Sequence, residues 1–162
     1  MEGIKNLVID FGGVIINLTR NRCIEAFESL GVANIREQIV NNYKHKDLFM
    51  KIELGSITVA EFRDGIRHLT RQPLTDEQID AAWIAMLDDV PDYKLDLLLD
   101  LRKRYNTMLL SNTNEIHWEW SEKTCFSYKG HHASDFFNHI YLSYRLHLLK
   151  PDAEIFEYVL QD

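Results

Sequence analysis

The sequence predicts an α/β fold: an open parallel sheet interrupted, after its first strand, by an inserted block of helices. Three observations carry that prediction. Short apolar, β-branched runs end in polar residues or glycine at Asn6–Gly13, Thr107–Asn112 and His139–Ser143, as strands buried in a parallel sheet do. Helical spacing returns between the later runs. From Asn17 to about Asp89 the chain reads as a series of helices with no convincing strand.

The bulk properties agree. A chain of 162 residues, 46% hydrophobic and 27% charged, suits one compact core with an insertion and is neither disordered nor membranous in composition. No apolar run approaches the roughly 18–20 residues that span a bilayer. The net charge of −7 is spread along the chain, which argues against a nucleic-acid surface. Met1 to Lys5 lead straight into the first strand, leaving no room for a signal peptide. Cys23 and Cys125 show no metal-ligand spacing and read as two reduced thiols of a cytoplasmic protein.

Each element has its own signal. Asn6 to Ile9 is too short and too branched for a helix, and it hands Asp10 to a loop carrying Gly12 and Gly13. Residues 20–31 place Cys23, Ile24, Phe27 and Leu30 on one helical face and end at Gly31, a suitable C-terminal cap. Helical spacing continues over 34–51 through Ile35, Ile39, Tyr43 and Phe49. Thr58 with Glu61, and Thr75 with Gln78, are capping boxes, so a helix begins after each. Asp92–Arg104 is amphipathic, Glu115–Cys125 is helical and aromatic-rich, 126–135 reads as a loop, and Pro151 fits the first turn of a final helix over 152–161.

Three strand ends then converge on one edge of the sheet, where open α/β folds bind ligands. They bring Asp10, the Ser111-Asn112 pair and Lys150. A carboxylate can attack phosphorus and form an acyl-phosphate. Ser and Asn can donate to phosphoryl oxygens, a lysine can stabilise the charge on the transferring group, and Gly12 and Gly13 would let backbone N–H groups approach an anion. The paired His131-His132 reads as a solvated loop, Trp118 and Trp120 as packing residues, and Asp88-Asp89 as the end of a helix at a hinge. Tyr43, His45 and Lys46 are candidates to face the cleft.

In order and spacing these segments resemble the haloacid dehalogenase superfamily of aspartate-nucleophile phosphatases. Leu7-Val8-Ile9-Asp10-Phe11-Gly12-Gly13-Val14-Ile15 looks like its first motif, Leu109-Leu110-Ser111-Asn112-Thr113-Asn114 its second, and Leu149-Lys150-Pro151-Asp152 its third. The likeness is nearest to bacterial members acting on glucose 1-phosphate. It implies a Rossmann-like core over 1–16 and 90–162, with 17–89 as an α-helical cap. It also implies a Mg²⁺ cofactor and a small phosphorylated metabolite as partner. Asp10 would be nucleophile and metal ligand, Ser111 would bind phosphate with Asn112 in support, and Lys150 would neutralise both phosphate and nucleophile. The backbone carbonyl of Gly12 would complete the metal-binding part of the first motif.

Two departures accompany the likeness. The family's usual second aspartate, its general acid and base, is Gly12 here, a loss worth about 10²–10⁴-fold where such a group is used. That leaves His117, Asp135 or a metal-bound water as proton donor. The family's fourth motif, an acidic pair completing the magnesium site, is absent, so the sequence reads as a C-terminally truncated chain that binds metal weakly. Two alternatives stand beside the phosphatase. One is a metal-independent dehalogenase-like hydrolase, for which Arg20 is the nearby residue able to clamp a carboxylate. The other is a non-catalytic relative that binds a phospho-ligand or a partner.

Overall fold

A computed structural model describes residues 3–40 and 48–161; Tyr43, His45 and Lys46 lie outside the described residues. Three parallel strands, β1 (Asn6–Ile9), β2 (Asn106–Ser111) and β3 (His139–Leu142), form one sheet in the order β1-β2-β3. The register pairs Ile9 with Leu109 and Ser111 with Leu142, so Asp10 leaves β1 level with the end of β2. β2 is the central strand and is buried along almost its whole length. β1 was expected to be buried, but among the described residues it pairs only with β2 and alternates between exposed and half-buried residues.

Helices cover both faces of the sheet. On one face α10 (Ala153–Gln161) sets Ile155 and Val159 against Met108, Leu110 and Tyr141. On the other, α6 (Asp92–Arg102), α7 (Glu115–Thr124) and the short α8 (Ala133–Phe136) enclose Phe11, Leu98, Trp118, Phe126 and Phe136. Phe11 stacks on Phe126 at 5.6 Å between ring centres. The residue after the nucleophile candidate is thereby locked into the core.

The inserted block consists of α1 (Arg20–Ser29), α2 (Ile35–Val40), α3 (Leu48–Glu53), α4 (Val59–Thr70) and α5 (Asp76–Ile84). It has an aromatic core of its own, with Phe27, Phe49, Phe62 and Trp83 essentially inaccessible. Each such side chain contributes about 1.5–3 kcal/mol by burial. Both capping boxes form with both hydrogen bonds present. Outside, Arg63 grips Asp80 through Nε and Nη2, at 3.0 and 2.6 Å, and reaches Asp76.

The chain enters and leaves the block along adjacent, antiparallel segments. Asn17 N–H donates to Asp89 O, Asp88 N–H to Asn17 O and Thr19 N–H to Met86 O, at 3.3, 3.0 and 2.8 Å. Asp88 is paired with Arg22 and Thr19 here; it was expected to end a helix, but α5 stops at Ile84 and Asp88 lies in the extended return segment beyond it.

Short elements differ from expectation. The segment 126–135 contains a 3₁₀ turn (Tyr128–Gly130) and α8, and the third strand stops at Leu142, where Ser143 opens α9 (Ser143–Leu146). Four-residue helices are too short to leave a periodic pattern. Pro151 follows a cis peptide bond and lies two residues ahead of α10.

Candidate active site

Asp10 is the first residue beyond β1, and its carboxylate is fixed through one oxygen. Oδ1 accepts the Phe11 N–H at 2.7 Å and stands 2.8 Å from Lys150 Nζ. Oδ2 makes no hydrogen bond among the described residues. Lys150 Nζ also donates to Leu110 O at the end of β2, at 3.0 Å. The ammonium is therefore held between a carboxylate and a carbonyl, with only 21% of its side chain exposed against 45% for Asp10.

Asn112 has a different task from the one its sequence position suggested. Its Nδ2 donates to Lys150 O and its Oδ1 accepts Lys150 N–H, both at 2.9 Å. The amide is thus a two-point clamp on the backbone that carries the lysine. Ser111 is buried and lines the cleft, with only a long 3.4 Å contact to Asn112 O.

These groups line a cleft of about 650 Å³ between the strand ends and the helical block. Asp10, Gly12, Ser111, Asn112 and Lys150 come from the sheet side; Arg20, Glu53, Trp83 and Met86 come from the block. Gly13 is not brought into the cleft: its N–H donates to Ile16 O at 2.8 Å, and its φ of +75° serves the turn after Asp10.

Of the two side chains considered as proton donors, His117 lines the cleft and Asp135 does not. His117 is buried, stacks on Trp83 at 4.5 Å and places Nε2 3.0 Å from Trp83 O. A carbonyl only accepts, so Nε2 carries the proton. Burial pushes the imidazole pKa down to about 4, leaving it neutral at pH 7. Asp135 caps α8 by accepting His132 N–H at 2.8 Å, and that bond lowers its pKa. His131 rests edge-on against Phe136. Trp118 packs between Phe11 and Phe126, and burial raises the thiols of Cys23 and Cys125 to about 12 and about 11.

Ser143 was not anticipated as part of the site. Its buried hydroxyl accepts Thr113 N–H at 2.9 Å and lies 2.7 Å from Glu53 O and 2.9 Å from Thr113 O. It ties the loop after β2 to the inserted block. The available signal was a small polar residue closing an apolar strand, as Ser111 does in β2.

Among the described residues no three His, Cys, Asp or Glu side chains gather around a point. The donors at the strand ends are a carboxylate and backbone carbonyls, hard oxygen ligands of the kind Mg²⁺ takes together with water and phosphate. No helix among the described residues is long and apolar enough to cross a membrane.

The parallel sheet with a cleft at its strand ends defines a Rossmann-like α/β fold with a ligand site at the usual edge. No family model matches the chain. It is 38% identical over 159 residues to the D-ribitol-5-phosphate phosphatase of Bacteroides thetaiotaomicron, covering 98% of this chain and 77% of that one. A HAD family enzyme from the same organism, solved with magnesium and inorganic phosphate, superposes with a TM-score of 0.93 at 52% identity, over 99% of this chain and 79% of that one. A HAD-like family hydrolase from Porphyromonas gingivalis gives 0.89 at 33% identity, over 98% and 76%. The chain belongs to the haloacid dehalogenase (HAD) family of hydrolases.

Proposed function

We propose that this protein is a magnesium-dependent phosphatase of small phosphomonoesters, phosphorylated polyols or sugars, acting through an aspartyl-phosphate at Asp10. The observation that carries it is the Lys150–Asp10 pair at 2.8 Å, aligned at the strand ends by the Asn112 clamp. The related phosphatase and the magnesium–phosphate complex of a HAD family enzyme support it.

In this reading a carboxylate oxygen of Asp10 attacks phosphorus, the bond from phosphorus to the ester oxygen breaks, and the alcohol leaves with a proton. Water then attacks the phosphorus of the aspartyl-phosphate, which releases inorganic phosphate and restores Asp10. Lys150 and the Ser111 hydroxyl stabilise negative charge on the transferring group. Gly12 offers no side chain, His117 Nε2–H is committed to Trp83 O and Asp135 lies outside the cleft. Of the three donors weighed from the sequence, this leaves water to supply the leaving-group proton. Mg²⁺, held by Asp10 and the Gly12 carbonyl, would supply positive charge against the phosphoryl oxygens. Residues 17–89 act as the cap over a core of 1–16 and 90–162, and the protein works in the cytoplasm.

The test is release of inorganic phosphate from D-ribitol 5-phosphate and a panel of sugar phosphates, with Mg²⁺ and with EDTA. Asp10→Asn should lower kcat/KM by at least about 10⁴-fold, and EDTA should abolish release. An Asp10→Asn rate equal to wild type would remove Asp10 as nucleophile. No release from any ester would overturn the activity.

A further inference from the structure

Lys94 is the third residue of α6, so its cation belongs to the first turn, at the positive end of the helix dipole. Local helix stability favours the opposite charge there. Among the described residues Lys94 pairs with no carboxylate, whereas Lys103, Lys123 and Lys129 each do. Its Nζ donates instead to two backbone carbonyls far away in sequence, Val14 O at 2.7 Å and Ile15 O at 3.0 Å. The side chain is half-buried.

Those carbonyls belong to the turn that follows Asp10. Phe11 O gathers the N–H groups of Val14, Ile15 and Ile16 at 3.3, 2.9 and 3.0 Å. The result is a helix-like turn whose last carbonyls need a donor from elsewhere. Ile16 is wholly buried, and its O accepts the Gly13 N–H at 2.8 Å. The Gly12 carbonyl shares a planar peptide group with that N–H, so the bond to Ile16 sets the direction in which the carbonyl points. Gly12 lines the cleft, and its carbonyl accepts no hydrogen bond among the described residues. The Ile15 carbonyl held by Lys94 shares a peptide group with the Ile16 N–H in the same way. Lys94 thus grips the turn one peptide group away from the residue that orients Gly12.

Resting on the phosphatase reading, we propose that Lys94 is a positioning residue for magnesium: its hold on the Val14 and Ile15 carbonyls keeps the turn in the form that offers the Gly12 carbonyl, with Asp10, to the ion. Groups that orient metal ligands without touching the metal govern its affinity. The sign of the effect separates this role from a plain charge effect. A lysine acting only through its charge repels Mg²⁺, so its removal would tighten binding. A lysine that positions a ligand does the reverse, and its removal weakens binding.

The experiment titrates Mg²⁺ alone into the substrate-free protein by calorimetry, and measures phosphate release from D-ribitol 5-phosphate across a range of Mg²⁺. It compares wild type with Lys94→Met, Lys94→Arg and Lys129→Met. Lys94→Met should weaken Mg²⁺ binding by about tenfold or more and raise the Mg²⁺ needed for half-maximal release alike, while kcat at saturating Mg²⁺ changes less. Lys94→Arg keeps donors for the carbonyls, and Lys129→Met removes an exposed lysine elsewhere; both should stay within about threefold of wild type. Binding by Lys94→Met as tight as wild type, or tighter, would overturn the inference. So would a lower Tm without weaker binding, the mark of a purely structural lysine. If Lys94→Met does not fold, Lys94→Gln keeps a neutral donor on a shorter stem: weakening beyond about threefold upholds the inference and wild-type affinity overturns it. A wild type that releases phosphate while Lys94 leaves Mg²⁺ binding untouched refutes this inference alone. A wild type that releases phosphate from no ester sinks the phosphatase reading, and this inference with it.

Discussion

The inserted block and the sheet-bearing part bury their side chains on different principles. Among the described residues every buried hydroxyl, amide or imidazole side chain lies between Thr107 and Ser143, all in the sheet-bearing part. Among its described residues the block buries only apolar and aromatic side chains, and charges such as Arg63–Asp80 and Arg67–Asp76 pair on its outside. Apolar burial gives the block shape and stability without fixing any one polar contact. Polar burial is expensive unless each group is satisfied, and in the sheet-bearing part it specifies where Asp10, Ser111 and Lys150 stand. The block shapes the cleft while the sheet side aligns the chemistry.

That contrast can be broken in three ways. The largest effect is expected from His117, the buried imidazole at the border. Below pH 6.5 the unfolded chain binds a proton there that the folded chain refuses until about pH 4. Stability should therefore fall as pH drops through this window, by up to about 3 kcal/mol. Urea midpoints between pH 7 and 4 should show that slope in wild type and lose most of it in His117→Gln; an unchanged slope would mean that His117 is not the group responsible.

Next comes Asn112→Ala, which strips both hydrogen bonds from the Lys150 backbone. It should cost about 1–3 kcal/mol of stability and lower kcat/KM about 10²-fold by misplacing the lysine. Retention of full activity would show that Lys150 needs no clamp.

The smallest effect belongs to the block. Thr58→Ala removes one capping box of α4 and should cost about 1 kcal/mol, with phosphate release per folded molecule unchanged. A larger loss of activity than of stability would show that the block does more than shape the cleft.

What could be read from the sequence divides along the same line. The capping boxes at Thr58 and Thr75, the two long strand motifs and the apolar helix faces are local patterns, and they appear where spacing places them. Asp10 and Ser111 were legible as strand-end residues and Lys150 as a residue beyond the third strand, and the fold brings them to one cleft. The Asn112 clamp was not legible, because its partner is 38 residues away and an amide beside a phosphate-type serine looks like a phosphate donor. Ser143 bridging Thr113 to Glu53 escaped for the same reason, with a separation of 90 residues to Glu53. Gly13 was read as part of an anion cradle, yet its N–H closes the turn instead. Sequence spacing indicates which residues arrive at a strand end but not which atoms are already engaged there.

The double hold on Lys150, at its backbone by Asn112 and at its ammonium by Leu110 O and Asp10, has a kinetic meaning. A free lysine carries roughly 2 kcal/mol of rotamer entropy, which an unconstrained site would lose again in every catalytic cycle. Here that ordering is completed once, during folding. In the proposed reaction the site would be preorganised: an arriving phosphoryl group would meet a cation already in position, leaving binding energy for the transition state.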